Sequence, residues 1–147
     1  HPEGALIAGQ ARKLGFDGPL FGADGIDNED YIRLGGKATE NTYCTVPFLA
    51  ASAGPAGQEF AAKFTAAYGR DVDWMSANAY DCLGILADVI TKTGPDRKKI
   101  RDGLAAMNSE SSGYNGITGL TYFDEKGNCA KPAFVKMVKG GKFVAAE

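Results

Sequence analysis

The chain holds a single histidine, His1, and it stands at the first position. Ser-His-Asp and Cys-His machinery needs an imidazole held between a nucleophile and an orienting carboxylate, so that chemistry has little to draw on. The patterns G-x-S-x-G, G-x-G-x-x-G and G-x-x-x-x-G-K-[ST] are missing too, which removes the usual support for hydrolase, dinucleotide and P-loop readings. Basic charge is not in excess: 16 Lys and Arg stand against 18 Asp and Glu, a formal net charge of −2. Such a balance gives no field to hold a phosphate backbone, and nucleic acid is not an expected partner. No apolar run approaches the ~20 residues that span a bilayer. The three cysteines, Cys44, Cys82 and Cys129, contain no C-x-x-C, which argues against a zinc site or a thioredoxin-type pair. They read as buried small hydrophobes, or as one disulfide with a spare thiol, and leave the redox compartment open. Asp24, Asp27 and Asp30 fall at intervals of three without the D-x-D-x-D-G order of a calcium loop. No enzyme activity, metal or cofactor is expected from this inventory. It is the inventory of a binder.

What is present is ordinary in bulk: 44% hydrophobic and 23% charged residues, typical of a soluble globular protein. The length of 147 fits one domain, or two small lobes completed by a partner segment. His1-Pro2-Glu3 looks like a helix entry, with Pro2 suited to a first helical position and Glu3 complementing the helix dipole. Free-standing α/β domains usually open with a strand, so the chain reads as the back half of a larger protein.

Helix and strand signals alternate along it. A helix is predicted over residues 3–14, with Ile7, Ala11 and Leu14 on the inward face. Leu20-Phe21 reads as a short buried strand running into Gly22-Ala23-Asp24-Gly25. Asp27 looks like an N-cap, with Tyr31 and Leu34 facing inward and Gly35-Gly36 stopping the helix. Thr42 to Val46 is the next strand. From Pro47 to Pro55 the chain runs through small residues and reads as an inter-lobe crossing. Three helices are then predicted: residues 56–68 with Phe60, Phe64 and Tyr68 on one face, and 76–93 with Tyr80, Leu83, Leu86, Ala87 and Ile90 buried. The third starts at Asp96 and carries Ile100, Leu104 and Met107. In the tail Ile117 to Phe123 alternates, Asp124-Glu125-Lys126-Gly127 is a turn, and Phe134 to Val138 pairs with Lys142 to Val144. Gly140-Gly141, flanked by Lys139 and Lys142, reads as the hairpin turn between them rather than a phosphate cradle.

Four stretches carry a resemblance: His1-Pro2-Glu3 with Gln10 to Gly15, Phe21-Gly22-Ala23-Asp24-Gly25, Ala79-Tyr80-Asp81, and Gly116 to Gly127 with its Tyr122-Phe123-Asp124-Glu125-Lys126-Gly127 ending. In the same order across the whole chain, they resemble the C-terminal half of type I periplasmic binding proteins of the leucine/isoleucine/valine group. That resemblance implies an α/β fold of two lobes joined by three crossings, closing about a hinge on a ligand between them. It assigns residues 1–47 and 132–147 to the C-terminal lobe, 56–131 to the N-terminal lobe and 48–55 to a crossing. It also implies an extracytoplasmic, periplasmic receptor that hands an amino acid, branched-chain by default, or a related carboxylate to an ABC transporter permease. A ligand-sensing regulatory or receptor domain of the same fold is the alternative.

The resemblance places Asp24 where the family's amino-acid binders hold an acidic residue on the ligand's α-ammonium. Close relatives often have Glu there, so this carboxylate sits one methylene further back. By its residue type alone, Asp24 reads rather as the cap of the turn before Gly25. Trp74 and Met75, read as lying between two helices, match a region that approaches the ligand's side chain; a lone Trp there also reads as packing. His1 either lines the cleft mouth or serves only the helix entry. The donors for the ligand carboxylate come from the family's other half. Standing alone, the chain is expected to self-associate or to need that half, with strands 20–22 and 42–46 short of neighbours and an apolar helix face uncovered.

Overall fold

The computed structural model describes residues 2–129 and 131–146. In chain order these form α1 (Pro2–Lys13), β1 (Leu20–Gly22), α2 (Glu29–Gly35), β2 (Thr42–Val46), α3 (Pro55–Tyr68), α4 (Trp74–Thr93) and α5 (Arg97–Ala105). The order continues with β3 (Tyr114–Gly116), β4 (Gly119–Thr121), β5 (Phe134–Lys139) and β6 (Lys142–Ala145). They divide into two units, His1–Pro47 with Ala133–Glu147, and Phe48–Pro132. No helix among the described residues is long and apolar enough to cross a membrane.

The first unit is a four-stranded sheet in the order β1-β2-β5-β6, parallel between β1 and β2 and antiparallel elsewhere. The β1-to-β2 connection passes through α2, as parallel neighbours require. Its core joins Ala5 and Ala8 of α1, Tyr31 of α2 and Val138 of β5, with Leu20, Ile26, Ile32 and Phe143 packed around them. Tyr31 is buried whole because its hydroxyl meets Thr42 Oγ1 at 3.0 Å. Glu40 closes the far end: its carboxylate accepts the main-chain N–H groups of Gly140 and Gly141, at 2.8 and 3.3 Å, in the β5–β6 turn.

Several expectations change here. α1 turns its alanines inward, leaving Ile7 63% and Leu14 88% exposed. The small residues win because the end of α2 passes close by, a Cβ on Gly35 standing only 3.4 Å from Ala5 Cβ. Asp27 does not cap α2; Asn28 does, accepting the Asp30 N–H at 2.8 Å. Leu34 is exposed. Phe21 is no core residue but 77% exposed, stacked on Tyr43 at 5.5 Å across the outer sheet face. The strand 42–46 has neighbours on both sides, so of the two expected edges only β1 is one.

The second unit packs α4, α5 and the β3–β4 hairpin around Ile85, Val89 and Met107. Asp96 caps α5 as expected, accepting the Lys99 N–H at 3.0 Å. Rings of Phe60, Phe64 and Tyr68 line one side of α3, each touching the next. α4 reverses its predicted face. The buried stripe is Ala77, Asp81, Ile85 and Val89, while Tyr80, Leu83, Leu86 and Ile90 are exposed. The reason is Asp81, whose carboxylate must face the hairpin. It accepts the N–H groups of Ile117 and Thr118, both at 2.8 Å, and the Thr118 hydroxyl. A Cβ on Gly116 would stand 2.3 Å from Asp81 Oδ1, so only glycine fits beside it. Residues 117–118 are thus the hairpin turn, not part of an alternating strand. All three cysteines are free, Cys44 buried but Cys82 and Cys129 exposed, so neither burial of all three nor a disulfide holds.

Candidate functional site

Asp24 follows β1 after one intervening residue, on a single 3-10 turn, Asp24–Ile26. The turn forms because Gly22 has no side chain: a Cβ there would lie 2.6 Å from Ile26 Cδ1, and without it Ile26 folds back under the strand end. Ile26 packs against the core, and the Asp27 N–H closes the turn on the Asp24 carbonyl at 3.0 Å. The carboxyl end of a parallel strand is where open α/β sheets receive ligands. Asp24 is half-buried there, and its carboxylate makes no hydrogen bond or ion pair among the described residues.

The three aspartates of this segment have different fates. Asp30 is exposed and pairs with Arg33 at 2.8 Å. Asp27 is buried, and Lys136 Nζ donates to both of its oxygens, at 2.9 and 3.0 Å. Asp24 alone is left with an uncompensated charge. Among the described residues no cluster of three His, Cys, Asp or Glu side chains could hold a metal ion.

Cys44, directly opposite Lys136 in the β2–β5 register, completes this neighbourhood. Burial above all, and then the Asp27 carboxylate, push its thiol up to about 12; Lys136 opposes the rise and Asp24 adds to it. So raised, it is a poor nucleophile.

Trp74 and Met75 lie in the other unit and open α4 itself rather than preceding it. Asp73 is the cap: it accepts the Ser76 N–H at 2.6 Å and pairs with Arg70 at 2.8 Å. Partial burial acts to raise the Asp73 pKa, but the Ser76 and Arg70 hydrogen bonds outweigh it and the pKa is lowered. The Trp74 indole nitrogen is buried with no acceptor among the described residues, and the Met75 side chain is exposed. Asp24 and the Trp74-Met75 pair thus come from separate units. His1 lies outside the described residues.

Reasoning from the sequence missed the Asp27–Lys136 pair. One signal was there: Lys136 alternates with Phe134 and Val138 on the inward side of β5, and an inward lysine demands an anionic partner.

A family model described as periplasmic binding protein matches residues 1–142. The chain is 30% identical over 129 residues to a leucine-, isoleucine-, valine-, threonine- and alanine-binding protein of Pseudomonas aeruginosa, covering 87% of this chain and 33% of that one. Among solved structures, a leucine-binding protein, LivK, of Thermotoga maritima superposes with a TM-score of 0.90 at 32% identity, over 99% of this chain and 41% of that one. LivJ of Streptococcus pneumoniae, a branched-chain amino acid transporter substrate-binding protein in complex with isoleucine, gives a TM-score of 0.86 at 28% identity, over 99% and 41%. The chain therefore spans well under half the length of these relatives.

Proposed function

The chain belongs to the periplasmic binding protein family, and from that premise we propose that it is the C-terminal part of a periplasmic solute receptor. The receptor takes up a small amino acid, branched-chain in type, and delivers it to an ABC transporter permease. In this reading the unit built from residues 1–47 and 133–147 belongs to the C-terminal lobe, residues 56–131 belong to the N-terminal lobe, and residues 48–55 cross between them. The lobes close about the crossings, a motion known for periplasmic binding proteins.

The observation that carries the reading is the open carboxylate of Asp24 at the carboxyl end of β1, a charged group with no internal partner among the described residues. A primary ammonium is the natural complement of such a group. Trp74 and Met75 serve the ligand's side chain, the exposed thioether of Met75 offering a deformable apolar contact. The names of the relatives support the ligand class: two of them are called binding proteins for leucine, isoleucine and valine.

The test is a thermal-shift panel of the full-length receptor against the common amino acids. At ~100 times its dissociation constant a ligand stabilises the native state by about 2.7 kcal/mol, which is easily read. Leucine, isoleucine or valine should raise the melting temperature, and acidic or basic amino acids should not. A panel in which no amino acid shifts the transition contradicts the proposal.

A further inference from the structure

The turn that presents Asp24 is fastened at its far end by a charge from a distant part of the chain. Asp27, whose side chain is only 4% exposed, receives both hydrogen bonds from Lys136, 109 positions later on β5. We propose that Asp27 and Lys136 are positioning residues for the amino-acid site. The pair holds the Asp24 turn in place and cancels the second carboxylate, so that one uncompensated negative charge faces the ligand's ammonium. This rests on the reading of Asp24 as the ammonium acceptor.

Two anchors hold this short turn. One is apolar, Ile26 folded beneath Gly22; the other is ionic, Asp27 on Lys136. Between them the Asp27 N–H ties directly to the Asp24 carbonyl, so a shift of Asp27 moves Asp24. A buried carboxylate stripped of its cation is costly, and the cheapest escape is for the turn to swing out and hydrate it. Lys136 also sets how many carboxylates are open to the ligand. Asp24, Asp27 and Lys136 all act on the Cys44 thiol, so their charges share one neighbourhood. With Lys136 in place that neighbourhood carries one net negative charge, matched to one ammonium. Without it there are two, which attract an ammonium more strongly, so the loss of affinity comes from the shifted turn and from the freed Asp27 drawing the ammonium away from Asp24.

The experiment is isothermal titration of L-leucine, with isoleucine and valine as alternates, into the full-length receptor. It uses the parent, Asp24→Ala, Lys136→Met, Lys136→Arg and the Asp24→Ala/Lys136→Met double variant. Lys136→Met should weaken binding about tenfold, and Lys136→Arg should retain most of the affinity. In the Asp24→Ala background Lys136→Met should cost nothing further, a coupling that a purely structural role would not produce. If Lys136→Met fails to fold, Asp27→Asn/Lys136→Met removes both charges and is judged by the same comparison with and without Asp24. A folded Lys136→Met variant binding as tightly as the parent, or a loss of equal size in both backgrounds, overturns the inference. If Asp24→Ala itself leaves binding intact, the underlying reading of Asp24 is what has failed.

Discussion

The buried carboxylate of Asp81 receives the main-chain N–H groups of Ile117 and Thr118, each at 2.8 Å, and so fastens helix α4 to the turn of a hairpin some 36 residues away. Replacing Asp81 by Ala leaves both donors unpaired and should destabilise the protein by about 3 kcal/mol. The midpoint of urea unfolding reads this out. An unchanged midpoint would mean that water replaces the carboxylate without loss.

Cys44 should be chemically silent. With its pKa near 12 from burial and the Asp27 charge, only about one thiol in 10⁴ is ionised at pH 8. Iodoacetamide followed by peptide mapping should label the exposed Cys129 within minutes and Cys44 only after unfolding. Equal labelling of the two in the native protein would contradict the buried site.

Asp73 gives a pH dependence of definite sign. Its folded pKa is lowered below the ordinary 3.8, so its contribution is fully present above that value. It is lost as the pH falls below 3.8 through the folded pKa. Asp73→Asn keeps a cap but not the charge, and should flatten the fall in stability below about pH 4 relative to the parent. Parallel acid-unfolding curves for the two proteins would show that the cap's charge is not felt.

The 147-residue chain expressed alone should self-associate. Tyr80, Leu83, Leu86 and Ile90 form an exposed stripe on α4. Phe21, Tyr43, Met137 and Val144 stand in register across the outer face of the four-stranded sheet, with Phe21 and Val144 exposed. Apolar faces of this extent are normally covered. Sedimentation equilibrium should show species above the monomer mass, reduced by Leu83→Glu. A stable monomer would contradict the expectation.

These faces also mark where the sequence could be read and where it could not. Elements punctuated by local chemistry were legible: Asp96 as a cap, Gly140-Gly141 as a hairpin turn, and the Phe60-Phe64-Tyr68 side of α3. Each depends on residues within one turn of one another. The inward faces of α1 and α4 were not. Both helices carry two apolar stripes, and the larger side chains make the more conspicuous one. In α4 a distant requirement, the hairpin N–H groups that Asp81 serves, selects the other stripe. In α1 the close passage of α2 selects alanine. Asp27 and Asn28 are both good caps by residue type. Only Lys136, more than a hundred positions away, draws Asp27 inward and leaves Asn28 to do the capping. The neighbours of Asp24 alone place it at a strand end, but the ligand role proposed for it comes from the family resemblance and not from any local pattern.

In the proposed function Asp24 holds the amino acid by its ammonium. Isothermal titration of the full-length receptor with L-leucine and with its des-amino analogue, for the parent and Asp24→Ala, tests it most directly. Asp24→Ala should weaken leucine binding by roughly 2–5 kcal/mol, the usual cost of removing one member of a buried charge pair. The des-amino analogue should bind the parent poorly. Leucine bound as tightly by Asp24→Ala as by the parent would contradict that role and leave Asp24 a turn residue only.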